Sequence, residues 1–314
     1  MTPDKDKFEQ VSCPCCTGAE TNHFCNAEED LTGKPGTFTF VTCEQCGLVY
    51  QNPRLALEHI GEYYDKEYIA HRKKKDWGVM TPFYEYAMDK HDRKKNELVS
   101  RYTQLNRDSR VLDIGCAAAT FLHKMRKVYG AHCSGVDFVD LSSREGFEEI
   151  DFHCGLFYEQ DLPADSFDLI TMWHFLEHDY DQQRSLQEAA RVMRDDGRLI
   201  IEVPRLDSLT YRLYQERWPG LQAPQHTVLY SKEMLLKTVT QAGFSVVDYL
   251  PYGSFPPYFY LFCGLAFKFL KGRGLNLDKA IVPYFLGQLL CTPILLFEKK
   301  LNLAMQTVVC AKRA

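Results

Sequence analysis

Two pairs of cysteines open the chain with a spacing that can do chemistry. Cys13-Pro14-Cys15-Cys16 is followed, after 26 residues, by Cys43-Glu44-Gln45-Cys46-Gly47. Each pair can turn two sulfurs onto one metal from a tight knuckle, and Gly47 suits the left-handed backbone such a knuckle needs. Four thiolates in tetrahedral array make a closed, structural zinc site with no position left for water. The expected ligands are Cys13, Cys16, Cys43 and Cys46, with Cys15 an alternative to Cys16 and Cys25 read as packing. A closed site does no chemistry, so its work is stability or recognition.

A second stretch has the character of a ligand loop. In Val111-Leu112-Asp113-Ile114-Gly115-Cys116-Ala117-Ala118-Ala119-Thr120 an apolar strand ends in an acid and a glycine, and a run of tiny side chains leads into a helix. Small residues there let backbone approach a ligand at the carboxyl end of a strand. The next apolar run ends in Asp137, 22 residues beyond Gly115, where an acid can accept hydrogen bonds from both hydroxyls of a ribose. A dinucleotide loop would need G-x-G-x-x-G, and this loop has one glycine. Further on, His174, Glu177 and His178 stand at i, i+3 and i+4 and share a face if the segment is helical. His226 follows in Ala223-Pro224-Gln225-His226-Thr227, between Trp218 and Tyr230.

The elements that must position these groups are readable as runs. Residues 37–42, TFTFVT, alternate like a strand between the knuckles. Residues 83–105 read as a helix, and Arg72-Lys73-Lys74-Lys75 as a solvated charge run. From residue 110, strand-length apolar runs recur at 110–115, 132–137, 151–155, 167–173, 197–204 and 245–250, with helical patterns between them. Such alternation predicts a doubly wound α/β sheet. After the sixth run come two greasy stretches, FPPYFYLFCGLAFKFL and IVPYFLGQLLCTPILLF. The second has no charge but is broken by Pro283 and Pro293, and falls at the lower edge for a spanning helix.

Composition narrows the function. With 37 Lys+Arg against 42 Asp+Glu, the 314-residue chain is net −5. That argues against a protein whose main work is gripping nucleic acid. Hydrophobic residues at 45% and charged residues at 25% exclude a disordered chain. Six of the 12 cysteines fall in the first 46 residues, and the opening MTPDKDKFEQ is polar. Clustered thiols without a secretory leader are expected in a reducing, cytoplasmic setting.

Three later stretches carry a resemblance: Leu162-Pro-Ala-Asp-Ser-Phe167-Asp168-Leu-Ile170, then Trp173-His-Phe-Leu-Glu177-His178, then Arg191-Val-Met-Arg-Asp-Asp-Gly197-Arg-Leu-Ile-Ile-Glu-Val-Pro204. Together with the loop at Asp113 they resemble the class I S-adenosylmethionine-dependent methyltransferases over about residues 108–250. The N-terminal knuckles resemble the zinc ribbon that precedes the domain in a subset of that superfamily. The resemblance implies a Rossmann-like, doubly wound seven-stranded sheet whose last strand, at QTVVCAK (306–312), is antiparallel. It implies that Asp113, Gly115 and the loop from Ala117 to Ala119 cradle the methionine end of the cofactor. Asp137 would hold the ribose, Gly155 and Leu156 would line the adenine, and Trp173 and His174 would lie beside the methyl donor. Ala117 and Ala119 stand where the family prefers glycine, and a positive φ there would be costly.

The expected organisation is a zinc ribbon over 1–54, a helical linker or lid over 55–107, and a methyltransferase domain over 108–314 with a hydrophobic insertion at about 255–297. The expected activity is methyl transfer, with a hydroxyl oxygen of a small molecule or of a glycan or lipid intermediate as first choice. His178, His226, His174 and Glu177 are the candidate bases; His174, Glu177 and His178 also resemble the metal-binding segment of some ubiquinone-type O-methyltransferases. Residues 255–297 are expected to roof the acceptor, touch a membrane peripherally or form a homodimer. The alternatives are an RNA methyltransferase that uses the ribbon for binding and a non-catalytic cofactor-binding protein.

Overall fold

The computed structural model describes residues 5–64, 81–144, 146–275, 277–295 and 297–313. The basic run 72–75 lies outside these residues. In chain order the elements are β1 (Phe8–Glu9), β2 (Thr21–Glu28), β3 (Thr37–Cys43), β4 (Val49–Gln51), β5 (Arg54–Leu55), α1 (Leu57–Ile60), α2 (Thr81–Tyr102), β6 (Arg110–Ile114), α3 (Thr120–Tyr129), β7 (His132–Asp137), β8 (Asp151–Cys154) and β9 (Phe167–Trp173). Then follow α4 (Gln182–Val192), β10 (Met193–Pro204), α5 (Leu209–Tyr214), β11 (Val228–Leu229), α6 (Lys232–Gln241), β12 (Phe244–Leu250), α7 (Pro257–Leu270), α8 (Leu277–Leu295), α9 (Glu298–Leu301) and β13 (Met305–Lys312).

The main sheet has seven strands in the order β12-β13-β10-β9-β6-β7-β8. The five strands β6 to β10 run parallel, and β13 lies antiparallel between β10 and β12. This is the Rossmann-like sheet with an antiparallel last strand. Parallel strands covered on both faces need continuous apolar runs. Val111, Leu112 and Ile114 of β6 and Leu169, Ile170 and Met172 of β9 are accordingly fully buried. Side-chain caps start the helices that cover the sheet: Asp181 accepts from Arg184 N ahead of α4, and Ser231 from Met234 N ahead of α6.

The N-terminal strands form a second sheet, β11-β4-β3-β2. Its fourth strand, β11, comes from beyond β10, so the ribbon is tied by main-chain pairing to the larger body. Cys13, Cys43, Leu48 and Tyr50 belong to the same buried cluster as Leu112, Ile170 and Tyr230. The ribbon core and the sheet core are therefore continuous. Between β12 and β13 the greasy segment forms a helical hairpin, α7 and α8. Main-chain approach is so close at Gly287 of α8 that a side chain there would overlap the Tyr258 hydroxyl of α7.

One local reading is corrected. The segment after Trp173 is a succession of turns, not a helix, so His174, Glu177 and His178 do not share a helical face. The helix starts only at Gln182, where Asp181 supplies the cap. The turn is instead held from outside: Thr227 donates its N–H to Glu177 O at 2.8 Å and its hydroxyl to Asp179 O at 2.6 Å.

The cofactor-type loop stores backbone strain. Ala117 and Ala119 have φ of 45° and 53°, the left-handed region where a Cβ costs about 1–2 kcal/mol. Replacing Ala119 by Gly is therefore expected to be neutral or to stabilise by up to about 1 kcal/mol in urea melts. The same change at Ala189, inside α4, should destabilise by about 1 kcal/mol or more.

Candidate active site

The loop after β6 is clamped before any ligand arrives. Gly115 has φ of 75°, and a Cβ there would meet the Phe175 ring at 3.0 Å, so any side chain would be strained and would press on that ring. Gly115 N and Cys116 N both donate to Val136 O, at 2.8 and 3.1 Å. Asp137 at the end of β7 accepts from Ala117 N at 2.9 Å and from Val139 N at 3.0 Å. Its carboxylate thus shapes the loop. Asp113 is fully buried and accepts from Thr171 Oγ1 at 2.6 Å. Burial pushes its carboxyl up to about 7, against the pull of Lys95 and the Thr171 bond.

Two cavities meet at this loop. The larger, about 410 Å³, is lined at one end by Asp113, Ala118, Thr120 and Trp173. The smaller, about 150 Å³, is lined by Asp137, Gly155 and Leu156. Gly115, Ala117, His174 and His178 line both. The residues that the resemblance assigns to the methionine end and to the adenosine end thus fall around two connected spaces. Away from the loop the larger cavity is walled by Phe255, Phe259 and Phe262, and by Tyr284 and Phe285 of α8.

At the junction His174, with φ of 56°, sits between two buried acids. Its Nδ1 is 3.3 Å from Glu177 Oε1 and its Nε2 is 3.3 Å from Glu202 Oε1. Burial opposes its charge, but the two carboxylates outweigh burial and raise it to about 9. Glu202 moves the other way: burial works against its charge, yet His174 and the donors of Ser254 hold it at about 2. Ser254 N and Phe255 N donate to Glu202 at 2.7 and 3.1 Å, and the Ser254 hydroxyl adds a third bond. His174 is thus a charged, doubly paired group. Both of its ring nitrogens face carboxylates, which speaks against His174 as the base. Among the described residues no hydrogen bond reaches either oxygen of Glu177.

His178 and His226 are of the other kind. Their rings pack edge to face with centroids 4.4 Å apart, and both line the larger cavity. Burial lowers the pKa of each, and for His178 the neighbouring His226 and His174 add to the effect. Both are therefore neutral near pH 7. His226 donates Nδ1–H to Gly220 O at 2.8 Å, which leaves its Nε2 lone pair open. His178 Nδ1 lies 2.8 Å from the Tyr64 hydroxyl and 3.1 Å from Gln225 O. One ligand atom each from Glu177, His178 and His226 lies within 4.8 Å of the others, close enough for a cation. That set differs from the His174, Glu177 and His178 of the sequence, because both ring nitrogens of His174 face carboxylates.

The four thiols of the knuckles converge as expected. Cys13 Sγ is 3.5 Å from Cys46 Sγ, and Cys16 Sγ is 3.5 Å from Cys43 Sγ; all four lie within 4.8 Å of one another. Thr17 and Gly47 give the two knuckles their left-handed turns, with φ of 60° and 83°. Cys15 points away and donates to Gln241 Oε1 at 3.1 Å, which removes it as a ligand.

Lys95 was not legible as a site residue, because it stands in the charged run Asp92-Arg93-Lys94-Lys95 of α2. In the structure it is buried, and its Nζ lies 5.1 Å from the Trp173 ring and 5.6 Å from the Phe121 ring. It lines the larger cavity beside Asp113 and Thr120.

Comparison with known proteins agrees with this geometry. The family described as "Methyltransferase domain" matches residues 84–249, just over half of the chain. The chain belongs to this methyltransferase family. A protein of Bacillus subtilis (strain 168), the uncharacterised methyltransferase YcgJ, is 31% identical over 137 residues. That match covers 39% of this chain and 54% of the relative, so the chain spans about half the length of the curated relative it matches. Among solved structures, the methyltransferase in a complex with the Haloferax volcanii Trm112 activator aligns with a TM-score of 0.50 at 15% identity. It covers 77% of this chain and 98% of that one. The YcgJ structure aligns at 0.45 and 17% identity, over 71% and 99%.

Asp137→Ala is expected to weaken S-adenosylmethionine binding by about 1.5–3 kcal/mol, the range for hydrogen bonds to a charged group. Calorimetry checks it, and unchanged affinity would remove Asp137 from the ribose site.

Proposed function

We propose that the chain transfers a methyl group from S-adenosylmethionine to a hydroxyl oxygen of an apolar, lipid-like or aromatic acceptor. The observation that carries this is the continuity of one cavity, from the loop at Gly115 and Ala117 to a wall of Phe255, Phe259 and Phe262. The cofactor supplies a sulfonium methyl group that is already activated. The protein's own work is to align an acceptor and exclude water. An aromatic wall selects an apolar body, so a glycan would have to sit outside it, as the far part of a glycolipid. The strained alanines keep the left-handed geometry of the loop, which supports a competent cradle over a degenerate one.

The polar end of the cavity supports roles for three groups. Lys95 meets the carboxylate of the cofactor's amino-acid end, since it is a buried cation at the loop that receives that end. His174, charged and fixed by two acids, shapes the floor and takes no proton. His178 or His226, neutral and open at a ring nitrogen, accepts the proton of the acceptor hydroxyl.

The knuckle thiols hold a structural zinc ion in this reading. The sulfur geometry fits a tetrahedral thiolate site, and the chemistry of four soft donors selects zinc over magnesium or calcium. Zinc here stabilises more than the ribbon. Gln51 at the end of β4 donates to Pro224 O at 2.9 Å and to His226 O at 2.6 Å, so the ribbon holds the backbone of His226.

Three outcomes are expected. Replacing the working histidine, His178 or His226, by Ala cuts turnover by about 10²–10⁴-fold with cofactor affinity intact. Full turnover in both single variants would refute the base. Lys95→Met weakens S-adenosylhomocysteine binding by about tenfold or more. It leaves 5′-methylthioadenosine, which lacks the amino-acid end, unaffected; equal losses for both ligands would refute the carboxylate contact. Elemental analysis finds one zinc per chain, and Cys43→Ser releases it and lowers turnover. A zinc-free protein with full activity would refute the structural role.

A further inference from the structure

The hairpin that walls the cavity has a second face. Phe269 of α7 is 80% exposed, and Leu286, Leu289 and Leu290 of α8 are 62%, 73% and 81% exposed. Leu265 and Phe297 add to the same outer surface. Pro283, Leu286, Leu290 and Pro293 follow at helical spacing and are exposed, so α8 carries an exposed apolar stripe. The opposite sides of the two helices supply Phe262, Phe267, Tyr284 and Phe285 to the cavity. One layer of two helices therefore separates the acceptor space from the outside, and both of its faces are apolar.

Charge brackets this layer. Between Pro257 and Leu301 the chain has six basic residues and two acidic ones, within a chain that is net −5. Lys268, Lys271 and Arg273 lie around the turn between α7 and α8, and Lys299 and Lys300 lie just beyond α8; all five are exposed. Of the two acids, Glu298 faces inward to Lys94 at 3.9 Å. Glu28 and Asp30 approach the same turn at Gly272 but are paired with Arg217, so the unpaired excess at both ends of the stripe is basic. Among the described residues no helix is long and apolar enough to cross a membrane. An apolar face rimmed by cations on helices of this kind is suited to lie in a lipid interface.

We propose that the α7–α8 hairpin docks on a bilayer with anionic headgroups, its Leu and Phe side chains entering the acyl boundary and its two basic ends meeting the headgroups. The acidic remainder of the protein is repelled by the same surface, which fixes the orientation. Pairing of this face with a second copy would bring basic ends against basic ends, so self-association is the poorer fit. The docked layer sets the acceptor cavity directly above the lipid, from which an apolar acceptor enters. Docking of the hairpin is independent of which acceptor atom is methylated.

Flotation of the full chain with vesicles tests it. Binding is expected to vesicles of phosphatidylcholine with phosphatidylglycerol, to weaken with salt, and to fall by more than about tenfold on phosphatidylcholine alone. The variant Phe269→Glu/Leu286→Glu/Leu290→Glu should lose binding to both vesicles. Its S-adenosylhomocysteine affinity by calorimetry should stay unchanged, which shows that it is folded. Lys271→Glu/Arg273→Glu/Lys300→Glu should lose only the preference for anionic lipid. No flotation with either vesicle overturns the proposal. So does flotation that both variants retain, and so does a dimer in light scattering that the apolar variant abolishes while vesicles never bind. Loss of methyl transfer with vesicle binding intact would count against the proposed activity and not against the docking surface.

Discussion

A buried ion pair sets the geometry on which the rest depends. Glu202 is wholly inside, and the His174 ring stands between it and Glu177. Charges taken out of water are costly, and removing one partner of such a pair typically costs roughly 3–5 kcal/mol. Glu202 is held from several elements at once, by His174 and by the donors of Ser254 and Phe255. Glu202 comes from β10, His174 and Glu177 from the turn after β9, and Ser254 and Phe255 from the approach to α7. The pair therefore fastens the turn after β9 to the approach to α7. It also explains the left-handed φ of His174, which lets one ring reach both acids.

A second set of bonds works on the other side of the same turn. Thr227 binds the carbonyls of Glu177 and Asp179, and Gln51 binds the carbonyls of Pro224 and His226. The strand pair β4–β11 runs alongside. The ribbon is thus part of the scaffold that presents His226 next to His178. A zinc ion at the knuckles, as proposed, would bear on the placing of His226 only through this scaffold.

Much of this was legible because the signals were local. Apolar runs at 132–137 and 167–173 became β7 and β9 with the same bounds, since parallel strands buried on both faces admit little else. The paired cysteines and the small-residue loop follow from spacing alone. The illegible parts are those in which distant residues meet. Glu202 reads as one acid within an apolar strand, and nothing in Ile200-Ile201-Glu202-Val203 announces an imidazolium opposite. Lys95 sits in a charged run where burial of one member leaves no mark. Whether His174 to His178 form a helix stayed open, because spacing cannot show that Thr227 holds the segment in a turn. The close fit of Gly287 against Tyr258 likewise depends on how the two helices pair.

Donor and acceptor are proposed to meet where the two cavities join, beside His178 and below the aromatic wall. A crystal structure of the protein with S-adenosylhomocysteine is the sharpest check. Adenine is expected against Gly155 and Leu156, the amino-acid end at Ala117 to Thr120 near Lys95, and the sulfur facing the space between His178 and Phe255. Ligand density with the sulfur turned away from that space, or outside both cavities, would contradict it.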